Sequence, residues 1–221
     1  VIIMIKTYKK GTKKQLTEHF NLSEIHCHGT KCCDKTKLDV NVVKLAEKMR
    51  VALGVPITVE SGYRCQEHNK KVGGANGSGH CLGTALDLTT AKVSRERLAV
   101  LAELVGVSRI GIYMSDNKKC MVHIGVGNKS HWINTGNYQP TSHSFLGGSW
   151  KKPIASVTPN SNKKYIRWLQ GWLFAKGYYK GDIDGDWGKN TQKAVDAFRR
   201  ENGWSKAECL KSKGIKTLCK C

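Results

Sequence analysis

Nothing in residues 136–162 (GNYQPTSHSFLGGSWKKPIASVTPNSN) repeats with the period of a helix or a strand, and Pro, Gly, Ser and Asn run through it. A chain of 221 residues is long for one domain and comfortable for two. The interruption therefore predicts two packed units, residues 1–135 and 163–221, joined by a flexible linker over 136–162. A hydrophobic content of 39% and an aromatic content of 8% suit globular units and exclude a disordered chain.

Charge narrows the range of partners. The chain carries 37 Lys+Arg against 17 Asp+Glu, a formal net of +20. The last 71 residues hold 16 of those bases and only 6 of the acids. Such a surface seeks polyanions, either nucleic acid or the anionic polymers of a bacterial wall. No motif for stacking bases or reading a groove is present, so specific nucleic-acid binding is not expected. No apolar run approaches the roughly 20 residues that a membrane span needs. The opening Val1-Ile2-Ile3-Met4-Ile5 leads into lysines and lacks a signal-peptide core and cleavage site. The expectation is a protein made in the cytoplasm without a signal peptide, acting after release and as a monomer.

In the first unit, Val42, Leu45, Ala46, Met49 and Leu53 recur at helical spacing, Gly54 stands where a C-cap glycine belongs, and Pro56 follows. Ile57–Glu60 reads as a buried strand leading into Ser61-Gly62-Tyr63-Arg64. A helix is predicted from Ser94, its N-cap, to about Val105. Strands are predicted at 109–113 and 121–126. Helices and strands mix without strict alternation, which favours an α+β fold.

The stretch 61–88 (SGYRCQEHNKKVGGANGSGHCLGTALDL) carries the chemistry. His80 and Asp87 lie seven residues apart across a glycine-containing turn, and His123 lies in the later strand. Two imidazoles and a carboxylate form a catalytic zinc set that leaves one coordination position open. The order S-G-Y-R, H-N, V-G-G, S-x-H-x-x-G-x-A-x-D-L, followed by Met121-Val122-His123-Ile124-Gly125-Val126 and Trp132, resembles the zinc D-Ala-D-Ala carboxypeptidase superfamily. That superfamily includes the VanY-like and L-alanyl-D-glutamate peptidases, which share the hedgehog/DD-peptidase fold. The resemblance covers about residues 14–135. It implies one catalytic zinc on His80, Asp87 and His123, with Arg64 in the cleft pairing with a substrate carboxylate or the oxyanion. It also implies that His68, Ser78 and Trp132 contact substrate. A structural salt bridge is the competing reading of Arg64.

A zinc peptidase needs a general base. Relatives carry one a few residues before the last zinc ligand or two residues after it, where this chain has Cys120, Met121 and Gly125. Asp116 is the first candidate and His131 the second. The nine cysteines are odd in number. Cys27, Cys32 and Cys33, with His26 and His28 beside them, raise a second, structural zinc as a possibility, but an uncommitted or disulfide-bonded loop is favoured.

Residues 163–204 resemble a short helical peptidoglycan-binding domain. The matching residues are Leu169-Gln170, Gly177-Tyr178-Tyr179, Gly181, Ile183-Asp184-Gly185, Gly188, then Thr191, Ala194, Val195 and Phe198. Asp184 is expected to bond loop amides. Tyr179 and Trp187 are candidates for stacking on wall sugars, with partial burial the equal alternative. Taken together, the sequence predicts an endolysin-type peptidoglycan hydrolase: a hedgehog/DD-peptidase-like zinc peptidase followed by a small all-α wall-binding domain. The rival is a non-catalytic wall-binding protein with a degenerate peptidase domain. The bond cut, whether D-Ala-D-Ala, L-Ala-D-Glu or a cross-bridge, is left open.

Overall fold

The computed structural model describes residues 3–114, 121–134, 138–141 (backbone only), 144–207 and 209–219. Its centre is a six-stranded mixed sheet. The strands are β3 (Thr58–Ser61), β4 (Ala85–Thr89), β5 (Arg109–Tyr113), β6 (Met121–Gly125), β7 (Ser130–Asn134) and β8 (Tyr138–Thr141), in the order β3-β4-β6-β5-β7-β8. The β5–β7 pair is parallel and the other pairs are antiparallel. A hairpin-like pair, β1 (Ile5–Lys9) with β2 (Lys35–Asp39), stands apart from this sheet.

Successive strand residues face opposite sides of a sheet, and here the two sides differ in kind. One side presents Leu86, Leu88, Ile110, Ile112, Val122 and Ile124 to a single buried core shared with α1 (Val40–Leu53) and α4 (Arg95–Leu104). Both helices end where their sequences predict, and α4 starts at its expected cap, while α1 starts at Val40 because Leu38 and Asp39 belong to β2. Asp39 caps α1 by accepting from Asn41 N at 2.9 Å, and Gly54 closes it in the left-handed conformation at φ 70°. Ser94 caps α4 by accepting from Arg97 N. The other side of the sheet carries polar residues and is bordered by two short helices, α2 (Gln66–Lys71) and α3 (Gly79–Leu82).

The C-terminal part comprises α5 (Lys163–Lys176), α6 (Lys189–Glu201), α7 (Ser212–Cys219) and a two-residue ladder, β9 (Ser156–Val157) with β10 (Leu210–Lys211). Its glycine-rich loop is organised by Gln170, which is fully buried on α5. The Gln170 amide donates to Asp184 Oδ1 at 2.8 Å and to Asp186 O at 3.0 Å, and its carbonyl accepts from Gly185 N at 2.8 Å. One side chain thus replaces the backbone pairing that a loop of this length lacks. Gln170→Ala is expected to destabilise the C-terminal part by about 2–4 kcal/mol, because several buried polar groups lose their partner at once. The check is thermal unfolding of the full chain followed by tryptophan fluorescence, since Trp168 and Trp172 are buried on the same helix.

The stretch 136–162 is not a flexible spacer where it is described. Buried Glu103 on α4 accepts from Ser144 Oγ (2.6 Å), Phe145 N (2.7 Å) and Trp150 Nε1 (3.3 Å). Leu146 and Val157 are fully buried, and Val157 lies in the β9–β10 ladder. The apolar residues of this stretch are too irregularly spaced to give a period, yet Leu146 and Val157 are buried and Trp150 reaches a buried acceptor, while Ile154 stays exposed. The two parts also touch directly. Helices α4 and α5 pack together, Arg97 Nε donates to Phe174 O and Ala175 O at 3.2 and 3.1 Å, and Lys176 Nζ donates to Ala52 O.

Candidate metal centre

The polar side of the sheet holds one transverse row. Register places Ser61 beside Asp87, Asp87 beside His123, His123 beside Gly111, and Gly111 beside Trp132, across β3, β4, β6, β5 and β7. Helix α3 adds His80 from above, with Ser78 as N-cap accepting from His80 N at 3.3 Å. Three ligand atoms converge there. His80 Nε2 lies 3.1 Å from His123 Nδ1 and 3.2 Å from Asp87 Oδ1, and the latter two are 2.9 Å apart. A tetrahedral zinc set with bonds of about 2.0–2.2 Å holds its ligand atoms roughly 3.3 Å or a little more apart. The triangle therefore fits one zinc ion with modest expansion.

The surroundings prepare these groups for that task. The His80 ring donates from Nδ1 to Gly62 O at 2.7 Å, which leaves Nε2 unprotonated and facing the triangle. Asp87 is 1% exposed; burial alone would raise its pKa, but the adjacent His80 and His123 outweigh burial and hold the carboxyl well below its usual range. Burial pushes His123 down, against the pull of Asp87, and the neutral imidazole is the form that binds a metal. Arg64 spans the rim. Its Nη2 lies 2.5 Å from Asp87 Oδ2 and its Nε donates to Ser61 Oγ at 2.8 Å. The guanidinium thus occupies the carboxylate oxygen that the triangle does not use. This geometry makes Arg64 first an orienting partner of Asp87, as the salt-bridge reading of the sequence allowed.

A cleft of about 330 Å³ opens over the centre, lined by His28, Glu60, Ser61, Arg64, His68, Val72, Asp87 and Met121. His68 therefore lies where substrate contact was expected. Ser78 does not line this cleft; its hydroxyl is engaged in capping α3. Trp132 packs its indole against His123, with ring centroids 4.9 Å apart, and occupies the space above Gly111. A Cβ added at Gly111 would fall 2.2 Å from the indole, so glycine is what lets the tryptophan lie across the row.

His131 is not a base for this centre. It adjoins Trp132 in β7 and so points to the opposite side of the sheet, where its ring stacks on Phe145 at 5.2 Å. Asp116 lies outside the described residues. Two groups that sequence reasoning passed over do face the site. Tyr113, two residues along β5 from Gly111, lies on the same side; burial and the nearby Asp87 push its phenol up to about 12, so it stays protonated. Glu60 lines the cleft because it follows core-facing Val59, and alternation turns it to the polar side. The β3–β4 register breaks between Val59 and Ser61, and this bulge brings Ser61 to the same side, beside Asp87.

The wall-facing aromatics fare differently from each other. Tyr179 is buried and its hydroxyl donates to Asp182 O at 2.7 Å, so it serves the loop and offers no stacking face. Trp187 is half-buried, with Nε1 donating to Gln192 Oε1 at 3.0 Å. Asp184 does bond the loop, accepting from Asp186 N and the Gln170 amide.

A buried His/Asp/His triangle beside an open cleft, on one side of a mixed sheet, is a group that could hold a metal ion. Residues 18–125 match the family model for Peptidase M15, and residues 162–206 match that for a putative peptidoglycan binding domain. The chain therefore carries a Peptidase M15 domain followed by a helical peptidoglycan-binding domain, an architecture that supports a cell-wall peptidase. A comparison with curated proteins finds no match.

Proposed function

We propose that this chain is an endolysin-type peptidoglycan hydrolase, a zinc metallopeptidase that cuts stem or cross-linking peptides of bacterial walls after release from the cell that makes it. Residues 1–135 would supply the chemistry and residues 163–221 the attachment. The observation that carries the reading is the triangle of His80, Asp87 and His123 beside a cleft of about 330 Å³ that reaches Asp87. Zinc held there supplies a Lewis acid to the scissile carbonyl. Arg64 holds Asp87 in place, and the Tyr113 hydroxyl remains a proton donor at neutral pH on the side where carbonyl charge develops. The strongly basic C-terminal part favours anionic wall polymers as an additional attraction.

The proton acceptor is assigned to Glu60, which with Asp87 makes up the carboxylates lining the cleft among the described residues. Glu60→Gln is expected to lower kcat about a hundredfold or more, while bound zinc stays unchanged. The experiment compares Glu60→Gln with Asp116→Asn on purified walls, using mass spectrometry to identify the bond released. Loss of activity in Asp116→Asn alone overturns the Glu60 assignment. Release of no peptide bond by the unsubstituted, zinc-loaded chain, with wall binding retained, overturns the peptidase reading and leaves the non-catalytic wall binder.

A further inference from the structure

Four cysteines converge at a place the peptidase chemistry does not use. Cys27, Cys32 and Cys33 come from the loop after the short 3-10 turn Leu22–Glu24, and Cys65 directly follows Arg64. The sulfurs of Cys27 and Cys32 are 3.6 Å apart, those of Cys27 and Cys65 3.9 Å, and those of Cys32 and Cys33 3.9 Å. All four lie within 4.8 Å of one another. A disulfide would bring one pair to about 2.05 Å and leave the others apart. Here three separations lie between 3.6 and 3.9 Å and none exceeds 4.8 Å, the compact four-cornered grouping that a tetrahedral ion needs. With zinc–sulfur bonds of about 2.3 Å, tetrahedral thiolates sit roughly 3.8 Å from each other.

The chain around the cluster is shaped to bring the sulfurs together. A Cβ on Gly29 would lie 2.4 Å from Cys32 Sγ, so the loop can close over that sulfur only with glycine there. Lys31 adopts the left-handed conformation at φ 55°, the one non-glycine residue to do so among those described. Backbone amides point at the sulfurs: Cys65 N donates to Cys27 Sγ at 3.5 Å, and His68 N to Cys65 Sγ at 3.4 Å. N–H donors of this kind stabilise the negative charge of metal-bound thiolates. The neighbouring histidines take no part. His26 is engaged with Thr36 Oγ1 and Gly11 N, and His28 lines the cleft.

We propose that Cys27, Cys32, Cys33 and Cys65 bind a second zinc ion as a closed tetrathiolate site, structural in role. Four protein ligands leave no position open for water, unlike the His/Asp/His centre. The ion would tie residues 25–33 to the segment that carries Arg64. That junction already holds Tyr63 N on Ile25 O at 2.8 Å, and Gly62 so close that a Cβ would fall 2.7 Å from Ile25. The second zinc would therefore position Arg64, and through it the Asp87 carboxylate, without touching substrate.

The test uses the full chain, purified under reducing conditions with zinc present. Two zinc ions per chain are expected by elemental analysis, falling to one in His80→Ala, which loses only the catalytic ion. Cobalt(II) exchanged into His80→Ala should show thiolate-to-cobalt charge-transfer absorption, which a nitrogen–oxygen site cannot give. Adding Cys27→Ser and Cys32→Ser should abolish that band. Should those variants fail to fold, the unsubstituted chain still decides the matter: chelation should expose the four thiols to a thiol reagent. A single zinc in the unsubstituted chain with no charge-transfer band, iron in place of zinc, or an intact mass short of the hydrogens lost to a disulfide would each overturn the proposal.

Discussion

His80→Ala abolishes peptide cleavage and removes one equivalent of zinc, whereas Arg64→Ala keeps the ion but binds it about 10- to 100-fold more weakly: these are the expected results for the metal centre. The contrast follows from position. His80 offers Nε2 to the triangle itself, while Arg64 touches only the far oxygen of Asp87. Loss of an outer partner typically costs one to two powers of ten in metal affinity, and loss of a ligand costs more. Zinc titration against a competing chelator measures both. If Arg64→Ala lowers activity with zinc affinity unchanged, the guanidinium acts on substrate and not on Asp87.

The second large effect concerns the junction between the two parts. Deleting residues 158–221 is expected to destabilise the peptidase part and to reduce cleavage of a small soluble peptide along with cleavage of whole walls. A tether of flexible residues would predict otherwise, with the C-terminal module acting only by raising local concentration. Here Gly171 on α5 lies so close to Leu146 and Leu104 that an added Cβ would fall 2.5 Å from the first and 3.4 Å from the second. Removing α5 lays these side chains open, at about 1.5–3 kcal/mol for each fully buried one. It also removes the acceptors of Arg97 and the donor to Ala52 O. Against a typical stability of about 5–15 kcal/mol, such losses leave the truncated chain close to unfolding at its working temperature. Equal melting temperatures for full-length and truncated chains would show that the contact contributes nothing.

Much of the centre could be read from residue order alone, because the ligands sit in a dense local pattern and α1 and α4 carry both period and caps. What escaped notice depended on pairing. His131 and Trp132 are adjacent strand residues, so they cannot share a side of the sheet, and nominating both for one site ignored that alternation. Glu60 follows core-facing Val59, so alternation alone turns it to the site side; only the register break that brings Ser61 beside Asp87 has no signature in the sequence. Cys65 is 38 residues from Cys27, so the sequence offers His26 and His28 as the nearest further donors to the loop cysteines and gives no sign of the fourth thiol. The stretch 136–162 has no period because its packing is set from afar; Glu103, the acceptor that gathers Ser144, Phe145 and Trp150, sits more than 40 residues earlier.

The transverse row from Ser61 to Trp132 also constrains when the protein can acquire its ion. Its members come from five strands, and Asp87 meets His123 only once β4 and β6, 36 residues apart in the chain, have found their register. Long-range pairings of this kind form late, since loop closure precedes any contact that rewards it. No folding intermediate that lacks the β4–β6 pair can hold zinc on these ligands. An ion bound there would therefore act on the way out of the native state and not on the way in, slowing unfolding while leaving the folding rate of the chain as its topology sets it.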